Sequence, residues 1–215
     1  MLDLVLPLEC GGCGCPSTRW CDNCAAALRV HPDEPHVVSP RVDPGVPVFS
    51  LGRYAGPRRR GIVAVKEHGR RDLVTPLARA LALGIHHLTG WGIVGLPVVV
   101  VPAPTRRASA RRRGGDPVTR IAAAAVAGHS DIAVTPVLRT VGLARDSVGL
   151  STSAREHNIA GRVRLSRPAS EFVGPTGEIL LVDDVVTTGA TAREAVRALG
   201  TAGVAVTAVL TLAHA

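Results

Sequence analysis

The sequence predicts an α/β fold, a mostly parallel β-sheet flanked by helices, preceded by a small cysteine-rich unit. Short β-branched apolar runs alternate with stretches of helical apolar spacing, which is typical of a parallel sheet. All five cysteines lie between residues 10 and 24. The 215 residues suffice for one sizeable domain and a small appendage. We therefore expect a metal-binding unit in residues 1–30, a Pro-rich linker in 31–47 and the α/β domain in 48–215.

The cysteines form two C-x-x-C pairs, which predict a structural Zn²⁺ site made of four thiolates. The expected ligands are Cys10, Cys13, Cys21 and Cys24. Cys15 is a spare that could replace Cys13. Disulfides or unliganded thiols are the alternatives, and disulfides are disfavoured in a reducing compartment.

The linker has five prolines within residues 31–47, a spacing that forbids a helix and favours an extended arm. Strands and helices are then expected in alternation. The predicted strands span residues 48–54, 97–101, 134–139, 178–182 and 204–212. The predicted helices span residues 23–28, 58–67, 73–87, 116–127 and 190–200, the fourth beginning with Asp116 as N-cap and Pro117 as N1.

The net charge is +8, and Lys66 is the only lysine, so the basic residues are almost all arginine. Arginine suits bidentate phosphate contacts, which favours a polyanionic partner such as nucleic acid or a small polyphosphate. Compositional bias of a GC-rich genome explains the arginine excess equally well. Aromatic residues make up only 2% of the chain, which disfavours single-strand binding by base stacking.

No targeting or membrane segment is expected. Acidic Asp3 and Glu9 replace the basic region of a signal peptide, and the longest aliphatic run is too short to span a bilayer. These features predict a cytoplasmic protein without membrane insertion.

The most informative segment is an apolar strand that leads into two adjacent carboxylates, a Thr/Gly turn and a helix. The turn, here called the TTGAT loop (residues 187–191), would place free amides and the helix dipole at an anion site. Carboxylates do not hold phosphate, but they suit hydroxyl hydrogens or a metal ion. This combination predicts a ribose 5-phosphate ligand, and an ordinary capping cluster is the alternative. The residues concerned are Asp183, Asp184, Thr187, Thr188, Gly189, Ala190 and Thr191.

Basic residues follow another strand end. Arg106, Arg107 and Arg111 come after the apolar run at residues 97–101, on the rim expected to hold Asp183. Such a loop could cover a pyrophosphate and exclude water, or it could be a solvated basic loop. Lys66 belongs to a second basic group in the predicted helix 58–67, for which a solvated helix face is the alternative.

The acidic pair and the TTGAT loop resemble the phosphoribosyl-diphosphate (PRPP) motif of type I phosphoribosyltransferases. Five features in this order resemble the ComF (competence protein F) family: the paired C-x-x-C, a K-x-x-G segment, V-P-x-P followed by arginines, an R-x-x-N segment at Arg155 and Asn158, and V-D-D-V-x-T-T-G-A-T. The resemblance implies a type I phosphoribosyltransferase-like sheet that carries an N-terminal zinc finger.

The resemblance also implies roles. Asp183 and Asp184 would hold the ribose hydroxyls or stabilise a cation-like C1, and the TTGAT loop would bind the 5-phosphate. Pyrophosphate would be bound, with Mg²⁺, by Lys66, Arg106, Arg107 and Arg111. The implied activity is phosphoribosyl transfer to an unidentified acceptor with release of pyrophosphate.

Two other functions stay open. The protein could be a non-enzymatic factor in DNA uptake that binds single-stranded DNA or a helicase, with PRPP as regulator. It could also be a PRPP sensor that has lost transfer. The chain departs from the family where R-G-F-N-Q is replaced by residues 113–117 and where a glutamine is replaced by Ser147. If those positions contact an acceptor, this protein has a different acceptor or none.

Overall fold

The computed structural model describes residues 8–104, 116–141, 161–172 and 177–215. The strands are β1 (His36–Val37), β2 (Val48–Ser50), β3 (Val98–Pro102), β4 (Ile132–Val134), β5 (Leu138–Thr140), β6 (Val163–Leu165), β7 (Glu178–Val186) and β8 (Ala208–His214). The helices are α1 (Asp22–Ala27), α2 (Gly56–Glu67), α3 (Val74–Gly90), α4 (Pro117–Ala125) and α5 (Ala190–Thr201).

Six strands form one sheet in the order β1-β2-β8-β7-β3-β4. All neighbours in it are parallel except β1, which pairs antiparallel with β2 at the edge. The predicted α/β class with a mostly parallel sheet is confirmed. Because β2, β3, β7 and β8 run in one direction, their carboxyl ends meet at one edge of the sheet.

Two apolar cores cover the two faces of the sheet. Helices α2, α3 and α4 bury one face, which includes Leu180 and Val182 of β7. Helix α5 covers the other face, which includes Ile179 and Leu181. Alternate β7 residues therefore enter different cores, as the two-residue period of a strand requires.

Two strand predictions need correction. The run at residues 134–139 is not one strand: β4 and β5 are separate, and β5 belongs to a small antiparallel pair with β6. Pro136 lies between β4 and β5 and lacks the N–H that a continuous ladder requires. Strand β7 continues to Val186, because residues beyond the acidic pair keep pairing with β8.

The short helix predicted at residues 23–28 corresponds to α1, and the four longer predicted helices correspond to α2–α5. Asp116 is the N-cap of α4, and its carboxylate accepts the N–H groups of Val118 and Thr119, as expected. The Pro-rich segment contains no helix; it contributes β1 and then runs along the face that α5 covers. Within the residues that the structure describes, no helix is both long and apolar enough to cross a bilayer.

Candidate functional site

The two adjacent carboxylates leave β7 toward opposite faces of the sheet. Asp184 is 5% exposed and turns toward α2, whereas the partly buried Asp183 turns toward α5. Their separation follows from the strand period, since β7 continues through both residues. Asp183 Oδ1 also accepts the backbone N–H of Asp184, at 2.8 Å.

Asp184 is neutralised by the single lysine of the chain. Lys66 Nζ lies 2.8 Å from Asp184 Oδ2, and the lysine side chain is about one-third exposed, at 34%. That oxygen is buried, and its contact with the Lys66 ammonium is an ion pair. Burial lowers the pKa of Lys66, but attraction by Asp184 and Asp183 outweighs burial, and the net shift of the pKa is upward. Lys66 therefore stays protonated at neutral pH.

Asp183 has the less favourable position. Burial and repulsion by Asp184 raise its pKa well above the ordinary value, although Lys66 and the hydrogen bond from the Asp184 amide oppose this. A carboxylate in this state gains from any group that supplies positive charge or donates hydrogen bonds to it.

A pocket joins Asp183 to the TTGAT loop. It is lined by the whole loop, by Asp183 and by Thr211 of β8, which lies opposite Asp183 in the ladder. Gly189, in the middle of the loop, is the N-cap of α5 and has φ of 88°. The Ala190 amide donates to Thr188 Oγ1 at 3.3 Å. The amides of Thr191 and Ala192 have no intrahelical acceptor, since the first helical bond runs from the Arg193 amide to the Gly189 carbonyl. The pocket therefore combines a carboxylate with the donor end of a helix.

Thr211 is a pocket residue that we did not predict. It is 1% exposed, and its hydroxyl donates to the Phe49 carbonyl at 3.3 Å. The available signal was a single hydroxyl within the otherwise apolar run of residues 208–213.

Of the other predicted ligand-binding residues, some belong to the described part of the chain and others do not. Lys66 lies beside Asp184, but Arg106, Arg107 and Arg111 fall outside the described residues, as do Arg155 and Asn158. The described chain leaves β3 close to the acidic pair, because Pro102 pairs with Val182 and the Ala103 amide donates to the Val182 carbonyl at 2.7 Å.

The four predicted metal-ligating cysteines form one cluster. Their Sγ atoms all lie within 4.8 Å of one another, and Cys15 is not part of the group. Sγ of Cys21 lies 3.7 Å from that of Cys10 and 3.6 Å from that of Cys13. A tetrahedron with Zn–S bonds of about 2.3 Å has S–S edges of roughly 3.8 Å, so the cluster could bind zinc.

The thiols of the cluster differ in how readily they lose their protons. Burial raises the pKa of Cys10, but hydrogen bonds from the amides of Cys21, Gly12 and Cys13 outweigh it and lower the pKa to about 6. Burial and the neighbouring thiols raise the pKa of Cys24. A bound divalent cation would allow all four to be thiolates.

The cysteine unit is docked on α2. The Arg60 guanidinium donates to the Gly12 carbonyl at 3.1 Å, and Trp20 covers Gly61 so closely that an added Cβ would lie 3.2 Å from the indole. The two glycines between Cys10 and Cys13 permit close packing. A Cβ on Gly11 would overlap Leu73, and one on Gly12 would lie 2.5 Å from Cys24 Sγ.

Comparison with known proteins adds an independent finding. The chain is 25% identical to competence protein F of Haemophilus influenzae over 195 residues, which cover 91% of this chain and 80% of that protein. No family model matches the chain. The match extends over nearly the whole chain, and the cysteine cluster fits the expected N-terminal zinc-binding unit. The chain is thus similar to competence protein F over nearly its whole length, which agrees with the resemblance to the ComF family noted from the sequence.

Proposed function

We propose that the protein binds PRPP at the carboxyl end of β7. The observation that carries this proposal is that Asp183, Thr211 and the TTGAT loop line the same pocket at the start of α5. A ribose 5-phosphate needs donors for its phosphate and an acceptor for its hydroxyl hydrogens, and the pocket has both.

The proposed contacts follow from this geometry. Amides and hydroxyls of Thr187, Thr188, Gly189, Ala190 and Thr191 bind the 5-phosphate. Asp183 accepts hydrogen bonds from the ribose hydroxyls, which relieves the unfavourable charge that burial and Asp184 impose on it. The cavity is small, about 30 Å³, so the sugar lies across its mouth rather than inside it.

We further propose that Asp184 contributes through Lys66. The ion pair fixes the ammonium group close to the acidic pair, where a pyrophosphate leaving group needs positive charge. Arg106, Arg107 and Arg111 would add charge from the segment that follows β3. Mg²⁺ would accompany PRPP and neutralise its pyrophosphate, and Asp183 offers the carboxylate oxygen that this ion prefers.

The chemistry that suits this site is phosphoribosyl transfer. The acceptor would donate an electron pair to C1 to form the new bond. The bond from C1 to the pyrophosphate oxygen would break, and pyrophosphate would leave with the electron pair of that broken bond. The protein would act by positioning the sugar and neutralising the leaving group, with Asp183 stabilising the cation-like C1.

Binding is tested by calorimetry with PRPP and Mg²⁺. The wild-type protein should bind, and Asp183→Asn should weaken binding at least tenfold, because it removes the negative charge and replaces one of the two acceptor oxygens with an NH₂ donor. Asp131→Asn is the matched control. This exposed residue lies at the amino end of β4, whereas the proposed site lies at the carboxyl ends of the parallel strands. Absence of heat at millimolar PRPP would reject the site. Pyrophosphate release in the presence of candidate acceptors would then test transfer.

A role in DNA uptake is the second candidate function, and the similarity to a competence protein favours it. In this role the protein would bind single-stranded DNA or a helicase, with PRPP as regulator. The net charge of +8, carried almost entirely by arginine, would support phosphate contacts. Affinity for a labelled oligonucleotide should fall steeply as salt rises, and an affinity independent of salt would contradict this role.

A further inference from the structure

The Pro-rich arm (residues 38–47) makes backbone contact with the TTGAT loop. The Val42 amide donates to the Thr188 carbonyl at 2.7 Å, and the Val38 amide donates to the Val48 carbonyl at 2.8 Å. Val38 and Val46 pack on the apolar cluster that also holds Ala192 of α5. The arm is therefore anchored on both sides of its contact with the loop.

Gly189 is constrained by the arm. Its φ of 88° lies in the left-handed region, where a side chain is strained. An added Cβ would also overlap the Val42 carbonyl oxygen and lie 2.8 Å from Pro40 Cβ. The missing side chain at position 189 thus makes room for the arm.

The contact fixes the orientation of one peptide group. In a trans peptide the C=O and the following N–H point in opposite directions. The Thr188 carbonyl points toward the arm, so the N–H of Gly189 points away from it. Within the described residues, no backbone acceptor outside the regular elements takes this N–H. Thr188 and Gly189 both line the pocket that contains Asp183.

We propose that Val42 is a positioning residue of the phosphate site. Its amide holds the Thr188–Gly189 peptide so that the Gly189 N–H is available to a phosphate monoester, and Gly189 lacks a side chain so that the arm can reach the loop. The proposal deepens the PRPP-binding function above and rests on it.

Val42→Pro tests the hydrogen bond, because proline lacks the N–H, and Val42→Ala is its matched control, because alanine keeps it. The probes are ribose 5-phosphate and inorganic pyrophosphate with Mg²⁺, titrated separately by calorimetry. Val42→Pro should weaken ribose 5-phosphate binding about tenfold and leave pyrophosphate binding within twofold, whereas Val42→Ala should match the wild type. General destabilisation would instead weaken both ligands together, and that result would overturn the proposal.

Gly189→Ala is a second test that does not depend on the folding of the proline variant. Its control is Gly203→Ala. Gly203 also has a left-handed backbone, with φ of 77°, but a Cβ added there would meet no neighbouring atom within 4 Å. Gly189→Ala should weaken ribose 5-phosphate binding at least tenfold and accelerate hydrogen exchange in the arm, and Gly203→Ala should do neither.

The outcomes separate the two proposals. If the wild type binds PRPP and ribose 5-phosphate but Val42→Pro and Gly189→Ala bind them equally well, the positioning role is wrong and the proposed function stands. If the wild type binds neither ligand, the proposed function is wrong and the positioning role falls with it.

Discussion

Asp183 is a residue whose charge is unfavourable in the free protein and useful in the proposed complex. Burial and the neighbouring Asp184 raise its pKa, and only part of this is offset by Lys66. Asp184 is held in an ion pair instead, with its Oδ2 2.8 Å from Lys66 Nζ. The two carboxylates are adjacent in sequence, but the strand places them in different electrostatic environments.

Asp183→Asn should therefore stabilise the ligand-free protein at neutral pH. A raised pKa in the folded state means that the wild type has its full stability only below the unfolded-state pKa, about 3.9, and loses stability as the pH rises through the folded-state pKa. The variant should be more stable than the wild type at pH 7, with its urea midpoint at a higher concentration, and this advantage should vanish near pH 4.

Asp131→Asn is again the control and should show no such pH-dependent gain. Urea unfolding from pH 4 to pH 8 measures both variants. A loss of stability in Asp183→Asn at pH 7, or a gain that is the same at pH 4, would contradict the electrostatic account.

The acidic pair could be located from sequence because an apolar run that leads into two carboxylates is rare in a buried strand. The division of the pair between two faces was not predicted, since the strand was expected to end before Asp183. Its continuation depends on pairing with β8, which is more than 20 residues away in sequence. Non-local pairing of this kind leaves little local signal.

At the scale of single elements, α4 begins where the sequence departs from the ComF proteins that it resembles, and the residues that differ have a structural role. Asp116 and Pro117 lie at the positions where the resembled family has the last two residues of R-G-F-N-Q. The Asp116 carboxylate accepts the amides of Val118 and Thr119 and the Thr119 hydroxyl, the last at 2.6 Å. The element contains both an N-cap and a proline at its first position, which is a strong helix start.

Asp116→Ala should destabilise the protein by about 1 kcal/mol, because it leaves the first-turn amides of α4 without their acceptor. Asp116→Asn should retain most of the stability, since asparagine is an equally good N-cap. Thermal unfolding of both variants measures the difference. If instead the two variants lose the same stability, the capping role is wrong.

The contacts of the arm could not be predicted from the sequence, in contrast to the N-cap of α4. Its prolines predicted the absence of a helix, and that was confirmed for this segment. Its contact with the TTGAT loop was not predicted, because it joins backbone atoms of Val42 and Thr188 and depends on no particular side chain at residue 42. Backbone contacts between distant segments become visible only in the folded chain.

At the scale of the whole molecule, the cysteine unit is linked to the proposed ligand site through α2. One end of the link is the contact of Gly12 with Arg60 and of Trp20 with Gly61. The other end is Lys66, in the last turn of the same helix, which pairs with Asp184. A change in the structure of the cysteine cluster should therefore alter the position of the Lys66 ammonium group.

Cys13→Ser tests this link, and Cys15→Ser is its matched control, because both cysteines are exposed and only Cys13 belongs to the cluster. Cys13→Ser should lose zinc, since serine is a poor ligand for this ion, and should accelerate hydrogen exchange in α2. PRPP binding should weaken several-fold because Lys66 is less well held. Cys15→Ser should retain one zinc per chain, the exchange pattern and the affinity.

Metal analysis, hydrogen exchange and calorimetry on the same preparations separate the steps of this argument. A wild-type protein without zinc would reject the four-thiolate site. Retained protection of α2 and unchanged PRPP affinity in a zinc-free Cys13→Ser protein would instead show that the unit and the ligand site fold independently. Because a bound cation would hold the four thiolates together, we expect the contacts of Gly12 and Trp20 with α2 to loosen when the metal is removed, and the effect to reach Asp184 through Lys66.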